Sequence, residues 1–112
     1  MRFNAHYGTH LPVLMKAVSI TSGDVLELGM GAYSTPVLHW MCVPQKRHLL
    51  SCESDAQFVN GLKLMQYAHE YHQIVVTDDW DSIDLDREWD VVLVDHSPAE
   101  RRKVEIARLK DN

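Results

Sequence analysis

The sequence predicts an α/β fold built on a parallel sheet. Short apolar runs recur along it, at 25–28 (V-L-E-L), 48–52 (H-L-L-S-C), 72–77 (H-Q-I-V-V-T, with Ile74-Val75-Val76 as a β-branched centre) and 90–95 (D-V-V-L-V-D). Such composition favours strands. Segments with helical spacing fall between these runs, and strand–helix alternation with short turns indicates a parallel sheet. The last run has four consecutive apolar residues, Val91 to Val94, which suits a strand buried on both faces.

Taken in order, residues 1–8 are polar and aromatic without periodicity and read as a loose arm. Residues 9–19 read as a helix with Thr9 as its cap and Leu11, Leu14, Met15 and Val18 on one face. Residues 21–24 form a turn before the first strand. The second helix is expected over 36–43. Ser34 or Thr35 can cap it, Pro36 suits its first position, and Pro44 ends it. Residues 45–47 are a polar turn, and the second strand closes at Glu53. Asp55 caps a longer helix reaching about residue 69, with Phe58, Val59, Leu62, Met65 and Tyr67 on its apolar face. After the third strand, 78–88 reads as an acidic loop. A last helix, 98–110, follows the fourth strand.

The chain is organised around 25–35, V-L-E-L-G-M-G-A-Y-S-T. A strand, two glycines and a helix start make a site for a polar or charged ligand. Glycine allows a sharp turn and a close approach of ligand to backbone. Glu27, two residues before Gly29, would repel a pyrophosphate and attract a cation. Acids also end the other strands: Glu53, Asp78 with Asp79, and Asp95. In a parallel sheet these four ends converge on one edge.

At 112 residues the chain has room for one domain, and 46% hydrophobic residues suffice for a core. A net charge of −5 argues against a nucleic-acid surface, which needs a basic stripe. Cys42 and Cys52 read as small buried hydrophobes in a reducing cytoplasm. No apolar run approaches the roughly 20 residues of a membrane span. His69 and His72 have helical spacing, but His72 falls past the expected helix end, and no further ligand joins Asp95 with Asp78 or Asp79. No metal site is expected.

The stretch around Glu27, Gly29 and Gly31 resembles motif I of the class I S-adenosylmethionine-dependent methyltransferases, which read acid-x-Gly-x-Gly. Tyr33 replaces a third glycine common in that family, while Ser34-Thr35 is similar to one of its branches. The segment V-D-H-S-P-x-x-x-R, ending at Arg102, is similar to a V-D-G-P form in the same branch. The resemblance implies a Rossmann-like sheet with strand order 3-2-1-4 and flanking helices, truncated relative to the seven-stranded fold of the family. The ligand would lie at the carboxyl ends, where the order switches between the first and fourth strands.

The same resemblance assigns roles. Glu27 would contact the methionine moiety, directly or through water, and Gly29 and Gly31 would let the backbone come close. Glu53 would accept hydrogen bonds from the ribose hydroxyls. Asp79, or its rival Asp78, would meet the adenine amino group, with the Trp80 ring or backbone alongside. Asp95 would face the methyl group, and Asp95 or His96 would act as base. The expected function is S-adenosylmethionine binding and methyl transfer, with the acceptor open among small molecule, protein and nucleic acid. One alternative is a non-catalytic remnant that associates with itself. The other is a dinucleotide-binding protein of the NAD type, since Gly29, Gly31 and Ser34 occupy the G-x-G-x-x-G positions. The apolar fourth strand, with one edge uncovered in the 3-2-1-4 order, implies a homodimer through that edge; the arm folding over the edge would instead keep the chain monomeric.

Overall fold

Parallel strands with helical or loop crossovers account for every strand in the structure, a computed structural model that describes residues 3–5 and 11–94. The elements are β1 (Phe3–Ala5), α1 (Leu11–Ser19), β2 (Val25–Leu28), α2 (Ser34–Cys42), β3 (Leu49–Glu53), α3 (Ala56–Gly61), β4 (His72–Val76) and β5 (Val91–Val94). Short 3-10 turns follow α2, α3 and β4. The sheet order is β1-β5-β2-β3-β4, and every pairing is parallel. The four expected strands are thus β2, β3, β4 and β5 in the expected 3-2-1-4 order.

The fifth strand lies where the alternative reading put the N-terminal arm, as a paired strand rather than a loose cover. Phe3, Asn4 and Ala5 pair with Val91, Val92 and Leu93. The edge of β5 opposite β2, expected to be open and to join two copies, is occupied by part of the N-terminal segment. Parallel pairing supplies the hydrogen bonds that an apolar central strand requires. Among the described residues β1 and β4 stand at the sheet edges.

Alternation along the strands divides the core into two faces. Leu26, Leu28, Leu50, Cys52, Val92 and Val94 meet Trp80, Ile83, Leu85 and Trp89 on one face. Val25, Leu49, Val91 and Leu93 meet Leu14, Ala17 and Val18 of α1 and Leu38 and Cys42 of α2 on the other. Both cysteines are free and buried.

Several local expectations change. Met15 is exposed and Ala17 is buried in its place, because the stripe of α1 runs through Leu14, Ala17 and Val18. The helix expected to reach residue 69 ends at Gly61, and Lys63 takes a left-handed conformation at φ 55°. That break shifts the phase of the following turn. Leu64 is buried and Met65 is exposed, and Phe58 and Leu62 are also exposed. The acidic loop supplies core: Ile83, Leu85 and Trp89 are buried, while Asp81, Asp84 and Asp86 face out. Arg87 lies over the Trp89 ring at 4.1 Å and approaches Asp24 at 3.6 Å, joining the loop to the turn before β2.

Arg47, expected to lie in a polar turn, is buried. Its guanidinium donates to the carbonyls of Val18 and Gly23 at 2.7 and 2.9 Å and to Thr21 Oγ1 at 3.0 Å. It thereby satisfies a carbonyl at the end of α1 that has no partner within the helix. No helix among the described residues is long and apolar enough to cross a membrane.

Candidate functional site at the strand ends

The carboxyl ends of β2 and β3 carry the site. Gly29 leaves β2 at φ 100°, a conformation that disfavours any side chain. Its N–H donates to the Cys52 carbonyl at 2.8 Å. The next N–H, of Met30, donates to Glu53 Oε1 at 2.9 Å, and that of Gly31 to Thr35 Oγ1 at 3.0 Å. Three successive loop N–H groups therefore already have protein acceptors.

Glu53 is the acid at this edge that lines an open space. Besides Met30 N–H on Oε1, its Oε2 accepts the N–H groups of Ser54 and Asp55, each at 3.0 Å. An ionised carboxylate offers about four acceptor positions, so about one remains. A cleft of about 560 Å³ opens here, lined by Met30, Glu53 and residues 54–58. Asp55 caps α3 as expected, accepting from Phe58 N–H at 3.0 Å. The cleft lies at the ends of β2 and β3, next to the switch in strand order, which falls on the other flank of β2, between β2 and β5.

Glu27 sits elsewhere. It points to the helix-covered face, fully buried beneath α2. Its carboxylate accepts from Ser34 Oγ at 2.6 Å, from Thr35 Oγ1 at 2.9 and 3.1 Å and from Ser51 Oγ at 2.8 Å. Burial pushes its pKa up to about 7, against the lowering effect of the three hydroxyls. From this position Glu27 holds the loop and the start of α2; it has no open path of its own to a ligand. The same bonds explain why neither Ser34 nor Thr35 caps α2. The cap position is Tyr33, without a side-chain bond, and both hydroxyls turn inward to Glu27. Pro36 then falls in the first turn, where its missing N–H costs no helix bond.

Asp79 follows β4 at the same edge of the sheet, outside the lining of the cleft, and caps a 3-10 turn by accepting from Asp81 N–H at 3.2 Å. Asp78 is exposed beside it. The Trp80 ring is buried in the apolar core with Leu26 and Trp89, so it presents no free face at the strand ends. Asp95 and His96, the expected reacting groups, lie outside the described residues, as do the V-D-H-S-P segment from its Asp onward and the last helix. Among the described residues no group of three His, Cys, Asp or Glu side chains is placed to hold a metal.

The hydrogen bonds on Glu27 continue to residues that had no assigned role. Ser51 Oγ lies 2.8 Å from His72 Nε2, and His72 Nδ1 lies 2.9 Å from His39 Nδ1. All are buried. The sequence does hold a signal for part of this chain. Glu27 and Ser51 are polar residues at inward positions of otherwise apolar strands, and such residues require partners. Nothing in the spacing identifies His39 as one of them.

The sheet and its strand-end cleft define the chain as a Rossmann-like α/β protein. No protein-family model, curated protein or solved structure matches it.

Proposed function

We propose that the chain binds S-adenosylmethionine in the cleft beside Glu53. The observation that carries this reading is the meeting of the Gly29 turn with Glu53 at the carboxyl ends of β2 and β3 in a parallel sheet, around a cleft of about 560 Å³. Glu53 would take one ribose hydroxyl on its remaining acceptor position, and Asp79 would lie on the adenine side. Glu27 fixes the loop from below. The cofactor supplies an already activated methyl group. Methyl transfer to an acceptor follows from the same reading, with Asp95 and His96 as the residues to be tested for it.

The engaged loop weighs against the dinucleotide alternative. A pyrophosphate is bound by free loop N–H groups, and here those of Gly29, Met30 and Gly31 already donate within the protein.

Calorimetric titration tests the reading. S-adenosylhomocysteine is expected to bind saturably. Glu53→Gln should weaken it about 10-fold, the effect of losing one charged hydrogen bond of roughly 1.5–3 kcal/mol. Ala56→Trp, which puts an indole into the cleft while leaving Glu53 in place, should abolish binding. Binding of NAD instead would establish the dinucleotide alternative, and binding of neither ligand would end both readings.

A further inference from the structure

Four side chains cross the helix-covered face of the sheet in one line: Glu27 on β2, Ser51 on β3, His72 on β4 and His39 on α2. Consecutive members are 2.8, 2.8 and 2.9 Å apart. Glu27, Ser51 and His72 are fully buried. His39 is 7% exposed and lies 6.3 Å, ring to ring, from the exposed His69. The inner end of the line is thus sealed and the outer end adjoins the surface.

The hydrogen-bond roles along this line are linked. When Glu27 is ionised it can only accept, so Ser51 donates to it. The Ser51 oxygen then accepts from His72, which carries its proton on Nε2. His72 Nδ1 is therefore the acceptor, and His39 carries its proton on Nδ1. When Glu27 is protonated every direction can reverse. Glu27 Oε1 donates to Ser51, Ser51 donates to His72 Nε2, and His72 Nδ1–H donates to His39 Nδ1, leaving the His39 proton on Nε2.

The two arrangements differ by one proton. A proton added at His39 Nε2 is balanced by transfer of the Nδ1 proton of His39 to His72 Nδ1. The Nε2 proton of His72 then passes to Ser51, and the Ser51 proton passes to Glu27. Each O–H or N–H bond broken is replaced by one formed, and both imidazoles end neutral.

We propose that Glu27, Ser51, His72 and His39 form a proton wire through which the surface beside His69 sets the charge of Glu27 beneath the Gly29–Gly31 loop. The wire is independent of which ligand the cleft takes.

The surroundings favour neutral imidazoles. Burial and the neighbouring His39 hold His72 down to about 4, and burial and His69 lower His39, in both cases against the Tyr67 carbonyl, which favours the protonated ring. The groups facing Glu27 are few. From β3 there are Ser51 and Glu53, the latter raising its pKa; from α2 there are Ser34, Thr35, His39 and Cys42. From β4 there is His72, and beyond it His69 and Tyr67. The β5 neighbour of Glu27 is the apolar Leu93, and α1 presents only Leu14, Ala17 and Val18. Arg47 is directed to the carbonyls of Val18 and Gly23. No described cation bonds to Glu27; burial and Glu53 favour its protonated form, the Ser34, Thr35 and Ser51 hydroxyls favour the carboxylate, and the wire is the route by which its proton arrives.

Nitrogen-15 spectra of the imidazole rings across a pH series test the wire, because they distinguish the two neutral tautomers from each other and from imidazolium. His72 is expected to change from the Nε2–H to the Nδ1–H tautomer as the pH falls, and His39 from Nδ1–H to Nε2–H. Both changes should share one midpoint, near the Glu27 value of about 7. Ser51→Val, which removes the linking hydroxyl and leaves no room for water, should hold both tautomers constant. Glu27→Gln should hold them constant too, without breaking the packing of β3. Tautomers that do not change with pH in the unaltered chain would overturn the proposal. So would an inversion that survives either substitution, or a second proton on His72 at the shared midpoint.

Discussion

The two faces of the sheet solve the same burial problem with opposite chemistry. On one face Leu26, Leu28, Leu50, Cys52, Val92 and Val94 are covered by an irregular loop through Trp80, Ile83, Leu85 and Trp89. On the other, two regular helices cover an apolar half, and a line of hydrogen-bonded polar groups runs beneath the start of α2. A helix satisfies its own backbone, so side chains such as Ser34, Thr35 and His39 are available to partner buried groups in the sheet. A loop cannot do this. Asp79 and Asp84 on that side bond to the backbone two residues on, of Asp81 and Asp86, which leaves large aromatics to exclude water. The loop-covered face is thus closed by apolar bulk alone, while the helix-covered face combines an apolar core with the buried groups that respond to charge.

The strongest way to break this contrast is Trp89→Ala. The Trp89 ring is buried and its N–H donates to the Leu85 carbonyl at 3.3 Å. Truncation should cost about 3–5 kcal/mol, seen as a lower midpoint in urea. A cost under about 1 kcal/mol would mean that the loop does not carry the core of that face.

The next largest effect is on the pH dependence of stability. Glu27 is raised from 4.5 to about 7 in the folded chain. Its contribution is fully present below 4.5 and is lost as pH rises through about 7, on the order of 3 kcal/mol in all. His72 is lowered from 6.5 to about 4, so its contribution is present above 6.5 and lost as pH falls through about 4. Between 4.5 and 6.5 the two slopes oppose each other, and the unaltered chain should show little change from this pair. Glu27→Gln leaves the His72 slope alone, so that variant should gain stability with rising pH across the same interval. Urea unfolding at several pH values decides it: parallel profiles for the two proteins would show that Glu27 does not titrate there.

The smallest effect sharpens the polar side. A Cβ on Gly31 would come within 2.7 Å of Ser34 Oγ. Gly31→Ala should therefore displace that hydroxyl from Glu27 and cost about 1 kcal/mol, one hydrogen bond's net worth. The removal of a hydroxyl that stabilises the carboxylate should also move the Glu27 midpoint upward. An unchanged midpoint in a folded Gly31→Ala chain would show that Ser34 is not part of the charge balance.

Much of the architecture was legible in the chain itself. Four short apolar runs, glycines after the first and Asp55 before α3 are local features, and local features specify strands, turns and caps. The burial of Val91 to Val94 on both faces followed from their unbroken apolar run, and the strand order β4-β3-β2-β5 agreed with the resemblance drawn at Glu27, Gly29 and Gly31. What escaped the sequence depends on distance. Phe3–Ala5 has no strand signature and becomes a strand only because β5 offers it an edge. Trp80 reads as a ligand-side aromatic until the fold turns it into the core. Glu27 and Glu53 look alike as acids at strand ends, yet one faces the helices and the other the cleft, because their roles depend on register and on which layer covers each face. Ser51, His72 and His39 stand 12, 21 and 33 positions apart pairwise along the chain. No spacing rule joins them. Parallel pairing of β3 with β4 and the packing of α2 across both bring them within hydrogen-bond reach, and in a buried layer that reach settles their chemistry.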